Sequence, residues 1–216
     1  MSIPVVYRDR DVLCIIKPAD ISSESDDLCQ AISLQEHIEK PYLINRLDLN
    51  VGGLLLFALN KEAAASLNRM LGEHLIEKEY YAVVSSFTAD ENGVFSDLLY
   101  HDKQHNKTFV VKTERKGVRK AELRYQCIDR CRISENEYSL ICVKPLTGRT
   151  HQIRVQFASR GFPLIGDKKY GSRIDSRGPA LYAFRIAFIH PVSHKRIDIS
   201  VSIPDRPFPW NVFHRQ

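Results

Sequence analysis

Apolar residues follow three patterns along this chain, and each pattern predicts a different kind of element. In residues 197–203 apolar and polar side chains alternate strictly, which predicts a strand with one dry and one wet face. Residues 54–59 are continuously apolar and predict a short strand that is buried on both faces. In residues 61–77 apolar positions recur at helical spacing after Asn60, which can cap a helix. The chain therefore combines strands with at least one core-packed helix.

The stretch YLINRLDLNVGGLLLFALN, residues 42–60, places charged residues directly before the buried strand. Arg46 and Asp48 fall in a polar turn, and Gly52 and Gly53 let the backbone bend without a Cβ penalty. A carboxylate held by a buried strand keeps its geometry, so Asp48 is a candidate for chemistry. The alternative is that Asp48 only bonds the amides of its own turn, as Asp residues in turns commonly do.

Length and composition indicate one large domain. The 216 residues, of which 44% are apolar, suffice for a substantial core, so residues 1–216 are interpreted as a single domain that is expected to be monomeric. The five cysteines are odd in number and form no CxxC pair, which indicates reduced thiols. We see no secretory signal and no apolar run of membrane-spanning length, and therefore expect a cytoplasmic protein without a membrane partner.

Charge is distributed unevenly along the chain. A net charge of +5 permits an anionic partner, whereas residues 20–39 carry six acidic residues and no Lys or Arg, which predicts a solvated loop and helix away from a polyanionic partner. Cations concentrate in residues 103–124, where Gly117, between residues 108–113 and 121–127, predicts the tip of a hairpin that could lie along the phosphates of a nucleic acid. The alternative is a solvated surface without a partner. The candidate nucleic-acid contacts are Lys112, Arg115, Lys116, Arg119 and Lys120.

Two motifs resemble those of the RluA family of pseudouridine synthases. NRLDLNVGGLLLFA, residues 45–58, is similar to the family's HRLD, two variable positions, TSG and an apolar strand. LTGRTHQIRVQFASRGFPLIGDKKYG, residues 146–171, is similar to GRTHQIRVH, a short helix and G-x-P-I-x-GD-x-x-YG. The departures are Asn45 for His, Val51 and Gly52 for Thr and Ser, and Gln156 for His.

This resemblance implies a fold and a set of site residues. The implied fold is the pseudouridine synthase fold, an α+β (mixed α/β) architecture with a largely antiparallel mixed sheet, flanking helices and a central active-site cleft. Asp48 matches the catalytic carboxylate, and Arg154 matches the arginine that pairs with it, near the start of a helix predicted at residues 150–158. KEYYAVV, residues 78–84, resembles the family's K-x-Y-x-A-x-V strand. Tyr80 of this stretch and Ile153 match residues that hold the target base. Arg46 could fill the space left by the flipped base or grip a phosphate.

The expected reaction sets requirements on these residues. Isomerising uridine breaks the bond between C1′ and N1, rotates the uracil, joins C5 to C1′ and then removes the proton from C5. A carboxylate near C1′ can act as a covalent partner or as the base of an elimination route. Burial would raise the pKa of Asp48, and a neighbouring guanidinium would favour its charged form. We find no P-loop, GxGxxG or metal-ligand spacing, so no metal and no cofactor is expected.

The sequence thus predicts an isomerase, an RNA pseudouridine synthase that acts on uridines of ribosomal or transfer RNA. Two alternatives remain open at this point. One is a non-catalytic RNA-binding paralogue of the family, because Asn45, Gln156 and the pair Ala19 and Asp20 depart from its motifs. The other is a carboxylate-dependent hydrolase unrelated to RNA.

Overall fold

The computed structural model describes residues 2–87, 89–204 and 207–213, and the chain divides into two compact units. Unit 1 comprises Met1–Lys78 and Ala183–Ser202, and unit 2 comprises Glu79–Tyr182 and Ile203–Gln216. Each unit has its own strands, helices and buried apolar residues, described in turn below. The interpretation of the chain as a single domain stays a prediction.

In its described residues, unit 1 contains two helices. Most of its strands lie before residue 60. Its elements are β1 (Val5–Arg8), β2 (Val12–Lys17), α1 (Asp26–Glu36), β3 (Tyr42–Leu43), β4 (Gly52–Ala58), α2 (Lys61–Gly72), nearly all of β10 (Leu181–Ile189) and β11 (Arg196–Ser200). The strand order is β1, β2, β4, β10 and β11, and β3 also pairs with β4. The continuously apolar run therefore forms an interior strand, as predicted, and every residue of β4 is buried.

Helix α2 covers β4 with its apolar side. Ala63, Leu67 and Met70 pack into the same core as the strand, and the Asn60 side chain accepts a hydrogen bond of 2.8 Å from Ala63 N–H, so the predicted cap is confirmed. The helix ends at Gly72, however, and not at residue 77. Glycine weakens a helix, and the following turn leaves Leu75 56% exposed instead of packed in the core.

Within the described residues, unit 2 is built on five strands. Its elements are most of β5 (Glu77–Ser85), β6 (Asn92–Asp102), β7 (Lys107–Val111), β8 (Val118–Ile133), β9 (Asn136–Pro145), α3 (Gln152–Ala158) and two 3-10 helices, Lys168–Tyr170 and Trp210–Phe213. The strand order is β5, β9, β8, β6 and β7. Each of these neighbouring pairs is antiparallel, which confirms the predicted largely antiparallel sheet.

Helix α3 packs on one face of this sheet through alternate strand residues. Val155 contacts Leu99 and Ala121, and Phe157 lies within an aromatic cluster that includes Phe95 at a ring distance of 5.1 Å. The predicted cap at Thr150 is wrong, because His151 occupies that place with a left-handed φ of 53° and no side-chain cap bond. The predicted end is confirmed, since Gly161 adopts a left-handed φ of 87° just beyond the helix.

The predicted cationic hairpin is also wrong in its pairing. β7 and β8 do not pair with each other, because β6 lies between them and is antiparallel to both. Residues 112–117 are therefore a crossover loop that passes over β6, and Gly117 lies at its end next to the Tyr100 ring. The hairpin is instead formed by β6 and β7, whose turn is held by Asp102 Oδ1 accepting from the backbone N–H of Gln104 and His105.

The C-terminal alternation is confirmed over part of its length. β11 covers Arg196–Ser200 and pairs antiparallel with β10, with Ile199 buried and Asp198 exposed. The fold class predicted from the sequence, a mixed α/β architecture with a largely antiparallel sheet, is therefore confirmed. The central cleft stays a prediction. Among the described residues, no helix combines the length and apolar character needed to cross a membrane.

Candidate active site

The turn that carries Asp48 in unit 1 is fixed by hydrogen bonds to its backbone. Val51 N–H donates to the Asp48 carbonyl at 3.0 Å and closes the turn. The Leu49 carbonyl accepts from Asp20 N–H at 2.9 Å and from Lys17 Nζ at 3.3 Å. Lys17 is fully buried and also donates to two carbonyls of residues 18–21. Asp48 is half-buried. The hydrogen bonds on both sides of it restrain the backbone to which its carboxylate is attached.

Gly53 anchors the other end of the motif against β10. Its φ is 120°, and a Cβ at this position would lie 2.2 Å from the carbonyl oxygen of Ala183. Only glycine fits such a close approach of two backbones. The glycine shared with the family motif is thus required by packing at the entry to β4.

The two residues before Leu47 have opposite surroundings. Asn45, which replaces the usual His, is 4% exposed, and its Oδ1 accepts from Leu56 N–H at 2.7 Å, so it ties the motif to β4. Arg46 is exposed and forms an ion pair of 3.1 Å with Glu24. Because both side chains of this pair are solvated, the interaction is weak and leaves Arg46 able to exchange partners.

The other predicted site residues belong to unit 2. Tyr80 is a buried residue of β5, opposite Val143 of β9. Ile153 and Arg154 follow each other in the first turn of α3 and are 6% and 8% exposed. Asp48 and Arg46 belong to unit 1. The predicted pairing of Asp48 with Arg154 stays a prediction.

Arg154 is held by a carboxylate that the sequence analysis did not single out. Its Nε and Nη2 donate to Asp167 Oδ2 and Oδ1 at 2.7 Å and 2.9 Å, a bidentate pair in which Asp167 is 1% exposed. The signal was available, because Asp167 is the acidic residue of GDKKYG in the second motif. A buried charge pair of this geometry fixes the plane of the guanidinium.

Tyr170 supports the same guanidinium from its face. The Arg154 Cζ atom lies 5.1 Å from the centre of the Tyr170 ring, a distance typical of cation–π contact. The Tyr170 hydroxyl accepts from Thr108 N–H at 2.9 Å and lies 3.0 Å from His151 Nδ1. Burial raises the pKa of the Tyr170 phenol, which keeps it protonated at neutral pH.

The departure at Gln156 has its own local partner. Gln156 Nε2 donates to Asp97 Oδ2 at 2.7 Å, and Asp97 also receives two hydrogen bonds from Arg160. The amide therefore ties α3 to β6, and it leaves Ile153 and Arg154 in place one turn earlier.

The five predicted RNA contacts lie in the crossover loop of unit 2 and at the start of β8, which follows it. All five side chains lie on exposed residues, and Arg115 stacks on the Tyr100 ring at 4.9 Å. A surface hollow of about 480 Å³ is lined by Arg115, Arg119 and Lys120 together with Leu98, Glu114 and Val118. Lys120 pairs with Glu122 at 3.4 Å, and the exposed cations of this region suit contact with phosphates.

One group of potential metal ligands lies in unit 1. Asp9, Asp11 and His190 each place a ligand atom within 4.8 Å of the others. His190 Nδ1 accepts from the backbone N–H of Val192 at 3.2 Å and Ser193 at 3.0 Å, and its Nε2 lies 2.9 Å from Asp9 Oδ2. Because the Nδ1 lone pair is engaged by two amides, we interpret the group as a structural cluster and not as a metal site.

The sequence of this chain is similar to those of known proteins. The sequence profile of a family described as RNA pseudouridylate synthase matches residues 11–159. A tRNA pseudouridine synthase C from Haemophilus ducreyi is 28% identical over 239 residues, covering 100% of this chain and 96% of that protein. A ribosomal large subunit pseudouridine synthase D from Borreliella burgdorferi is 30% identical over 188 residues, covering 80% of this chain and 56% of that protein.

The fold has a counterpart among solved structures. Human RNA pseudouridylate synthase domain containing 1 superposes with a TM-score of 0.77 at 24% identity, over 93% of this chain and 83% of that one. The match covers elements of both units and agrees with the fold that the motifs imply.

Proposed function

Because the chain belongs to the RluA family of RNA pseudouridylate synthases, isomerases that convert uridine to pseudouridine in RNA, we propose that Asp48 is its catalytic carboxylate. The observation that carries this role is the fixed turn: Lys17 and Asp20 hold the Leu49 carbonyl, and Val51 closes the turn at Asp48. A carboxylate so positioned can act at C1′ of a bound uridine, as a covalent partner or as a base. The family assignment disfavours an unrelated hydrolase.

The remaining predicted residues have proposed roles in holding the substrate. Tyr80 and Ile153 would lie against the flipped uracil, and both are buried enough to exclude water from the base. Arg154 would supply positive charge, with its orientation set by Asp167. Arg46, being exposed and weakly paired, would contact a phosphate or fill the space of the flipped base.

The proposed substrate is a structured transfer or ribosomal RNA. Relatives named for each of these two classes align with most of this chain, and the exposed cations of the crossover loop supply a phosphate-binding surface. We propose that the protein acts on it as a cytoplasmic monomer. Pseudouridine mapping of total RNA from cells with and without the gene should reveal sites that disappear from transfer or ribosomal RNA. Loss of sites only in messenger RNA would overturn the proposed substrate.

Replacing Asp48 tests the catalytic role directly. Asp48→Asn removes the negative charge and leaves the size of the side chain unchanged, so we expect pseudouridine formation to fall by at least about 10³-fold while the Kd for RNA stays within about twofold. Single-turnover assays and a binding titration with the same RNA provide both values.

Asp20→Asn is the matched control. Asp20 is exposed, and its Oδ1 accepts from Asn50 Nδ2 at 3.1 Å, a bond that the asparagine carbonyl can keep. This variant should retain full activity. If Asp48→Asn formed pseudouridine at the wild-type rate, Asp48 would not be the catalytic group.

A further inference from the structure

The Ser23 hydroxyl bonds both polar backbone groups of the residue that precedes Asp48. Leu47 N–H donates to Ser23 Oγ at 3.0 Å, and the Ser23 hydroxyl donates to the Leu47 carbonyl at 3.0 Å. These two groups belong to consecutive peptide planes, and the second plane ends at the Cα atom of Asp48. One hydroxyl from a position 24 residues earlier in the chain therefore sets the direction in which the backbone enters Asp48.

Water cannot readily take over these two bonds. Ser23 is 3% exposed and Leu47 is 8% exposed, so both peptide groups depend on the protein for their partners. On the far side of Asp48, the Leu49 carbonyl is held by Asp20 N–H and Lys17 Nζ. The backbone is thus restrained on both sides of Asp48, and Ser23 provides the restraint on the N-terminal side.

The position of Ser23 also shows where the acidic segment 20–39 begins. That this segment lies away from RNA stays a prediction. Its first residues lie beside the Asp48 turn, because Ser23 bonds Leu47 and the neighbouring Glu24 pairs with Arg46 at 3.1 Å. The start of this segment therefore has a structural link to the candidate site.

We propose that Ser23 is a positioning residue for Asp48 in the isomerisation of uridine, an inference that rests on the proposed catalytic role of Asp48. Without the hydroxyl, the peptide plane between Leu47 and Asp48 can rotate and carry the carboxylate away from C1′. A displacement of about 1 Å of a reacting group costs on the order of 10²-fold in rate. Binding of RNA to the rest of the surface does not depend on this peptide plane.

The test compares Ser23→Ala with Ser25→Ala. Ser25 lies in the same segment and caps α1, with its Oγ accepting from Leu28 N–H at 3.4 Å, so its replacement weakens the segment without changing a bond to the Asp48 turn. In single-turnover assays with saturating RNA we expect Ser23→Ala to be about 10- to 100-fold slower than wild type. Ser25→Ala should stay within about threefold, and both should keep the wild-type Kd for RNA.

Two further variants separate the possible outcomes. Ser23→Cys keeps the volume of the side chain and exchanges a strong hydrogen-bonding group for a weak one, so it should be slow as well, and it serves if Ser23→Ala does not fold. Asp48→Asn assayed alongside reports on the proposed function separately, since an active Asp48→Asn would refute the role of Asp48 itself. With Asp48→Asn inactive, wild-type rates for Ser23→Cys or for Ser23→Ala would overturn the positioning role of Ser23.

Discussion

At the scale of single residues, the least expected feature is the buried pair of Arg154 and Asp167. Two charges that are almost inaccessible to water satisfy each other through two short hydrogen bonds. Removing one member of such a pair is costly, because the other charge then loses a buried bidentate partner. The pair therefore links the integrity of unit 2 to the orientation of a proposed substrate-binding residue.

Asp167→Asn tests this link. The variant keeps an acceptor for Arg154 but removes the negative charge of the bidentate pair, and we expect the free energy of unfolding to fall by about 3 kcal/mol. Urea unfolding followed by fluorescence measures the change. The double variant Asp167→Asn with Arg154→Gln should lose less than the sum of the two single losses, since it removes both charges.

An exposed ion pair provides the comparison. Glu24→Gln removes the partner of Arg46, and both side chains of that pair are more than 60% exposed, so stability should hardly change. A loss for Asp167→Asn as small as that for Glu24→Gln would show that Arg154 is hydrated in solution.

Residues of this kind also mark where sequence analysis stops. Asp48, Arg154 and Tyr80 could be proposed from the family motifs, because the motifs carry chemistry at fixed spacing. Ser23 could not, because its role depends on a partner 24 residues away that no local pattern specifies. Asp167 lay within a quoted motif, but its function appears only when the bond to Arg154 is seen.

At the scale of elements, the pattern of apolar residues predicted where strands form, but it did not predict which strands pair. The run at β4 and the alternation at β11 were identified from their patterns, and both are strands. The predicted pairing of β7 with β8 was wrong because β6, which precedes both in the chain, hydrogen-bonds to each of them. Strand order depends on tertiary contacts that adjacent residues do not encode.

The crossover loop carries the element-scale prediction. Lys116→Ala combined with Arg119→Ala removes two exposed cations, and each lost phosphate contact lowers the slope of log Kd against log salt by about 0.7 to 0.9. We therefore expect the slope for RNA binding to fall by about 1.5, measured by titrations between 50 and about 300 mM salt.

The matched control removes one lysine and one arginine elsewhere. Lys61→Ala with Arg132→Ala changes the net charge equally, and both residues are exposed outside the loop. This control should leave the slope unchanged. Equal slopes for the two double variants would remove the crossover loop from the RNA interface.

At the scale of the whole molecule, acid stability should depend on the cluster around Asp9. Burial would raise the pKa of Asp9, but hydrogen bonds from the Tyr7 hydroxyl and from the N–H groups of Asp11 and Val12 outweigh it and lower the pKa. The hydrogen bond between the Tyr7 hydroxyl and Asp9 raises the pKa of Tyr7 to about 12. A carboxyl with a lowered pKa in the folded state favours folding above its unfolded pKa of about 3.9.

This contribution disappears as the pH falls through the lowered pKa of Asp9. We expect wild type to be more stable than Asp9→Asn at pH 7, and the difference to shrink steadily below about pH 4. Urea unfolding between about pH 2.5 and 7 measures the two curves. Tyr7→Phe, which removes one of the bonds that lower the pKa, should lie between them. Parallel curves for wild type and Asp9→Asn would contradict this assignment.

The crossover loop has a consequence for how such a protein can diversify. Because β7 and β8 are each registered by β6, residues 112–117 can lengthen, shorten or change charge without shifting a single strand. The backbone around Asp48 is held by other bonds, made within unit 1. With the roles proposed above for the loop and for Asp48, evolution can alter the RNA preference without altering the group that isomerises uridine.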